Sequence, residues 1–253
     1  MAEKSESSPE SEDRRLGDAV TIDGDYQFKA LNNGPAFQRA WHREKLFLLN
    51  SWGHAHAGSK GLDVGFGSGV SSAHLSDMGC QMWGVDSNPA AVTFAQATYE
   101  SKKCKFVLGH GDDFELNETF DFIVSLEVIE HLYENQIQSL LGSMFNHLAP
   151  GGHLLISTPN YHGVWPIIEK TCDRFASLPQ MDGDQHVTHF NHSKLRETVE
   201  KAGFIETKIS TFCTLSPVIG SIVPKAQPVL AKIERKLHIP FGNLLVCTAT
   251  KPR

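Results

Sequence analysis

Short apolar runs alternate along this chain with segments of helical periodicity. Runs at 61–66 ("GLDVGF"), 80–86 ("CQMWGVD"), 104–109 ("CKFVLG"), 120–126 ("FDFIVSL") and 152–158 ("GHLLIST") predict strands. Between them, 71–78, 89–101 and 133–148 predict helices. A leading helix is expected over "AFQRAWHREKLFLLN", ending before "SWGHAHAGSK". Later, "SKLRETVEKAGF" predicts a helix ended by Gly203, and "IETKISTF" and "NLLVCTAT" predict two more strands. Apolar strands alternating with helices predict a mostly parallel, doubly wound α/β sheet with both faces covered. Seven strands, the last two outside the simple alternation, fit a sheet whose last strand inserts antiparallel. The segment 216–240 is apolar with interspersed lysines. It is expected to form a core-facing amphipathic helix; the alternatives are a substrate cover or a peripheral membrane contact.

Composition changes this picture at the edges. Residues 1–20 are rich in Ser and Glu and predict a disordered tail, leaving 21–253 as a single domain. The formal charge of −6 argues against a nucleic-acid partner. No apolar run reaches the roughly 18–20 residues of a membrane span, and the polar start has no signal-peptide core. The five cysteines, Cys80, Cys104, Cys172, Cys213 and Cys247, are scattered. They read as reduced thiols in a cytoplasmic protein.

The first chemistry lies in "LDVGFGSG", where Gly65, Gly67 and Gly69 follow a strand. Such a loop lets the backbone approach a ligand at the carboxyl end of the sheet. The G-x-G-x-G spacing, with Asp63 just before it, argues against a dinucleotide pyrophosphate. Asp86 in "GVDSN" ends the second strand, where a carboxylate can accept both hydroxyls of a ribose; a helix-capping role is the alternative. "GHGDDFEL" places Asp112 and Asp113 after the third strand.

In this order and at these strand ends, the three markers resemble those of class I S-adenosylmethionine-dependent methyltransferases, over about Ala36 to Ala249. The resemblance implies a Rossmann-like fold with S-adenosyl-L-methionine as cofactor. It sets Gly65, Gly67 and Gly69 under the methionine part, with Asp63 at the same loop. Asp86 then takes the ribose, with Ser87 beside it. Asp112 takes the adenine, with Asp113 and Leu126 in the same pocket. "LAPGGHLLISTPN" matches the family's turn into its fifth strand, a tight reversal at Pro150, Gly151 and Gly152. Arg43, or Arg39, on the leading helix could clamp the cofactor carboxylate.

Acceptor chemistry is expected after the fourth strand, in "SLEVIEHLYEN". Glu127, Glu130 and His131 would share one face of a helical turn. Two carboxylates and an imidazole suit a divalent metal, Mg²⁺, Mn²⁺ or Zn²⁺, completed by His186 or His189. Without metal, His131 could serve as a general base. His186 and His189 of "HVTHFNH" are expected to line the acceptor pocket, with Tyr161, His162 and Trp165 shaping it; His192 is expected beside a helix cap. The E-x-x-E-H stretch resembles that of ubiquinone-biosynthesis O-methyltransferases, implying a small-molecule hydroxyl acceptor. It also resembles small-RNA 3′-terminal 2′-O-methyltransferases, but the aromatic and basic residues expected after their late histidine are absent. A cofactor-binding partner subunit without catalysis is the non-enzyme alternative. The oligomeric state is open.

Overall fold

The apolar runs become β1 (Lys60–Val64), β2 (Gln81–Asp86), β3 (Cys104–Leu108), β4 (Phe120–Leu126), β5 (Leu148–Pro159), β6 (Ile205–Phe212) and β7 (Leu244–Thr250) of one sheet. A computed structural model describes residues 23–99, 102–111, 114–163, 186–237 and 241–253. The tail expected at 1–20, together with Asp112, Asp113, Trp165 and Cys172, lies outside the described residues. The strand order is β3-β2-β1-β4-β5-β7-β6. β1 to β5 pair in parallel; β7 runs antiparallel to both β5 and β6, as expected for the last strand. The winding reverses between β1 and β4, so their carboxyl ends flank the switch point where such sheets bind ligands.

Strand alternation explains why both faces are covered. Leu62, Val64, Ile123, Leu154 and Ile156 point to one side, against Ile137, Leu140, Leu141 and Met144 of α5 (Glu134–His147). Phe122, Val124, Leu155 and Val246 point to the other, against Trp41, Leu48 and Leu49 of α2 (Ala36–Trp52) and Leu75 of α3 (Val70–Asp77). Each such buried side chain contributes about 1.5–3 kcal/mol. The remaining helix after β2 is α4 (Pro89–Thr98), whose N-terminal amides of Ala90 and Ala91 donate to the Asn88 side chain. α6 (His192–Lys201) is capped by Asn191, so His192 is its first residue. Among the described residues no helix is long and apolar enough to cross a membrane.

Three details differ from expectation. A short helix, α1 (Tyr26–Asn32), precedes α2; its few residues carry no readable period. The reversal expected at Pro150–Gly152 lies inside β5, which begins at Leu148 opposite Phe120. The sharp bend survives as a register shift between Phe120 and Phe122, with Gly151 at φ +77°. Segment 216–240 is not one core-facing helix. Its described part forms α7 (Ser216–Ile222), a 3₁₀ turn at Pro224–Ala226, and α8 (Gln227–Leu237). Pro224 lacks the N–H that would continue α7. Much of the apolar content of α8 faces outward, because its inner face is pinned by polar contacts: Gln227 and Glu234 are buried.

Candidate functional site

The glycine loop connects β1 to α3 in a shape that side chains would block. Gly65, Gly67 and Gly69 have φ of +76°, +55° and +75°. A Cβ on Gly65 would fall 2.4 Å from Val128 Cγ2, and one on Gly67 2.1 Å from the Gln27 amide nitrogen. Asp86 at the end of β2 holds the loop: its Oδ2 accepts from Gly67 N–H at 2.7 Å and its Oδ1 from Asn88 N–H at 2.9 Å. The capping of α4 falls to Asn88 instead. Asp86 therefore lies against the loop, and each oxygen keeps a further lone pair for a hydroxyl donor. Burial lifts its carboxyl above the usual range. Gln27 of α1 accepts from Ser68 N–H at 2.7 Å, and Ser68 Oγ accepts from Phe28 N–H at 2.9 Å. No pattern in 21–33 of the sequence points to this clasp.

Asp63 sits beneath the loop, fully buried, accepting from Ser72 Oγ at 2.7 Å. Burial pushes its carboxyl up to about 7, and the neighbouring Asp86 adds to the shift. In the unfolded chain the same group ionises near 3.8. The folded protein therefore keeps a proton that the unfolded chain loses. The stability this confers is complete below 3.8 and is lost as pH rises to about 7. The slope is about 1.4 kcal/mol per pH unit in that window. Asp63→Asn is expected to remove this slope. Thermal melting at pH 5 and pH 8 should show the variant gaining on the wild type at the higher pH; parallel curves would refute the assignment.

Glu127, Glu130 and His131 do not share a helical face. Ile129–His131 is a 3₁₀ turn, and Glu127 stands before it in the left-handed region at φ +59°. A non-glycine residue there costs of order 1 kcal/mol, held by surrounding contacts. Here Glu127 N–H donates to Ser157 O at 2.9 Å, and Lys45 Nζ meets Glu127 Oε2 at 2.5 Å. Lys45 is itself buried. Glu127 is thereby paired with Lys45 and is not among the residues whose donor atoms converge, Glu130, His131 and His186.

Glu130 is buried and accepts from Thr158 Oγ1 at 3.0 Å through Oε2, while its Oε1 is buried with no hydrogen-bond partner. Burial, and then the charge of Glu127, raise its carboxyl to about 8. His131 and His186 bring their nitrogens to it: one donor atom from each of Glu130, His131 and His186 lies within 4.8 Å of the others. Thr188 ties the histidine loop to this turn, its N–H donating to Glu130 O at 3.1 Å and its hydroxyl to Leu132 O at 2.6 Å. The Tyr161 hydroxyl lies 2.8 Å from His186 Nδ1. His189 stacks on the Tyr161 ring at 3.9 Å, and its Nε2 lies 3.1 Å from His186 O. It supports the cluster rather than joining it. The group brought together is thus Glu130, His131 and His186, with Tyr161 and Thr158 around it.

The basic residues of α2 take separate partners. Arg43 Nη1 lies 3.5 Å from Gln227 Oε1 on α8, and Arg39 Nη1 donates to Gly34 O at 2.6 Å. The cation that α2 sends to the carboxyl end of β4 is Lys45. Leu126 ends β4, immediately before Glu127, and is half-buried. Ser87 follows Asp86 and is likewise half-buried.

Comparison with known proteins places the chain. A family model described as a methyltransferase domain matches residues 36–206, more than half of the chain. A probable S-adenosylmethionine-dependent methyltransferase of Mycolicibacterium smegmatis is 27% identical over 204 residues, covering 79% of this chain and 72% of its own. A ubiquinone biosynthesis O-methyltransferase of Pseudomonas fluorescens is 28% identical over 142 residues, covering 54% and 57%. The chain therefore spans little more than half of that relative. Among solved structures, phosphoethanolamine N-methyltransferase 2 of Haemonchus contortus, in complex with S-adenosyl-L-methionine, superposes with a TM-score of 0.65 at 17% identity, covering 95% of this chain and 60% of that one. A methyltransferase of Archaeoglobus fulgidus gives 0.62 at 17% identity, covering 89% and 99%. With its seven-stranded sheet and reversed last strand, the chain belongs to the methyltransferase domain family and is a class I S-adenosylmethionine-dependent methyltransferase.

Proposed function

We propose that this enzyme methylates a hydroxyl oxygen of a small molecule, with Glu130, His131 and His186 handling the hydroxyl proton. The acid–imidazole triplet at the carboxyl end of β4, with Glu130 and His186 buried and His131 half-buried, carries this reading. The O-methyltransferase relatives of ubiquinone biosynthesis support it. S-adenosylmethionine supplies a methyl group already activated on a sulfonium sulfur. The C–O bond forms as the S–C bond breaks, and the hydroxyl proton must leave. A carboxyl lifted to about 8 carries a proton in most molecules at pH 7 and acts as a strong base in the fraction that has lost it. Tyr161 holds the His186 ring, and Thr158 holds the Glu130 carboxylate through Oε2, leaving Oε1 buried without a hydrogen-bond partner. Asp86 and the glycine loop would hold the cofactor by its ribose and methionine parts.

The same triplet fits a divalent ion. A buried carboxylate with one oxygen lacking a partner, and two imidazoles with a donor atom each within 4.8 Å of it, are the donor types for Zn²⁺ or another borderline cation. Glu130, His131 and His186 would hold it, with Glu127 engaged by Lys45 instead. A bound ion would lower the hydroxyl pKa.

The test is transfer of labelled methyl from S-adenosylmethionine into a cell extract, with products identified by mass. A small-molecule methyl ether is expected. Label confined to RNA, protein or nitrogen would overturn the reading. Dialysis against a chelator decides the metal: loss of transfer with recovery on adding Mg²⁺ or Zn²⁺ supports it, and unchanged transfer removes it.

A further inference from the structure

We propose that the outer face of α7 and α8 docks onto an anionic lipid bilayer. A surface helix ordinarily turns its apolar stripe to the core. In α8 the order is inverted. Its inner residues include Gln227, which donates to Ala40 O at 2.6 Å and Glu44 Oε1 at 2.9 Å. They also include Glu234, which accepts from the backbone N–H of Thr214, Leu215 and Ser216 at 3.1, 2.7 and 2.8 Å and from the Ser216 hydroxyl at 2.8 Å. Those contacts fix which side of α8 faces inward. Val229, Ile233 and Leu237, four residues apart, are left as one outward row. Leu237 is 66% exposed, and Ile222 at the end of α7 is 78% exposed. α7 packs against α8, so the two helices carry one apolar surface.

The charge on that surface selects the occupant. From Leu215 to Leu237 the lone carboxylate is Glu234, which is buried, whereas Lys225, Lys232 and Lys236 are exposed. The chain as a whole carries −6, so this positive, apolar face stands apart from it. Protein interfaces are depleted in lysine. Apolar side chains flanked by lysines suit the boundary between acyl chains and anionic headgroups. The topology points the same way. β6 ends at Phe212, opposite Leu244, which in turn lies opposite Pro159 at the end of β5. α7 and α8 therefore leave the sheet at its carboxyl edge, the edge that carries Glu127 and Glu130. Docking would turn this edge toward the bilayer, within reach of an acceptor bearing a hydrocarbon tail. That last point rests on the hydroxyl-methylating reading; the docking does not.

Co-sedimentation of the chain with vesicles tests the docking without any methyl acceptor. Vesicles of phosphatidylcholine alone are compared with vesicles containing phosphatidylglycerol, at low and high salt. Binding to the anionic vesicles, weakened by salt, is expected. Lys232→Ala with Lys236→Ala should weaken it roughly 25-fold, at about fivefold per lysine. Ile222→Ser with Leu237→Ser should weaken it at least about tenfold. Both pairs are exposed, so circular dichroism and S-adenosylmethionine affinity should match the wild type. Equal binding to both vesicle types, or binding indifferent to both variants, would overturn the proposal. So would absent vesicle binding with self-association that Ile222→Ser and Leu237→Ser abolish; the face would then belong to a second copy of the chain.

Discussion

Replacing Glu130 by glutamine is expected to slow methyl transfer about a hundredfold or more, the usual contribution of a positioned base. The substitution is nearly isosteric. The amide oxygen can still accept from Thr158, and the backbone carbonyl still receives the Thr188 N–H. Glutamine supplies neither a proton acceptor of comparable basicity nor a charged metal ligand. The loss should therefore appear in single-turnover transfer while cofactor affinity, read by calorimetry, stays within about twofold. Transfer within about threefold of the wild type would remove Glu130 from the acceptor chemistry. His131→Ala should fall in the same direction, since its ring shares the cluster.

Asp86→Ala is expected to weaken S-adenosylmethionine binding by more than about tenfold, or ~1.4 kcal/mol. The structure gives two reasons for the loss. A carboxylate at this strand end can accept ribose hydroxyls. The same carboxylate also fastens the half-buried Gly67 and Asn88 amides, and a hydrogen bond of this kind contributes roughly 0.5–1.5 kcal/mol. The variant should thus melt lower as well as bind more weakly. Asp86→Asn separates the two roles, since one carbonyl oxygen can still hold Gly67. A Kd unchanged by Asp86→Ala would sink the ribose assignment.

The sheet was legible because its central strands are buried on both faces. Runs such as "FDFIVSL" and "GHLLIST" needed no partner to be read, and neither did the glycine spacing after β1. The site was legible only as a set of residue types. That Glu127 turns to Lys45 depends on a contact across 82 positions. A spacing of three and four predicts one face only if the backbone is helical throughout, and Glu127 lies in the left-handed region instead. His186 could be singled out from His189 only once Tyr161 was known to touch both in different ways. The apolar content of 216–240 pointed to a core-facing helix, and the structure turns the apolar row of α8 outward instead. Direction was decided by Glu234, a charged residue that burial would ordinarily exclude, and by the three backbone amides waiting for it.

The Gln27 clasp has a thermodynamic consequence. The glycine loop borrows its shape from two side chains outside it, Asp86 on one side and Gln27 on the other. α1 attachment and cofactor occupancy are then linked equilibria. By whatever factor a docked α1 changes the affinity for S-adenosylmethionine, the bound cofactor must change the docking of α1 by the same factor and in the same sense. Amide exchange at Phe28 and Ser68, followed with and without cofactor, would read that factor from the helix, far from any methyl acceptor.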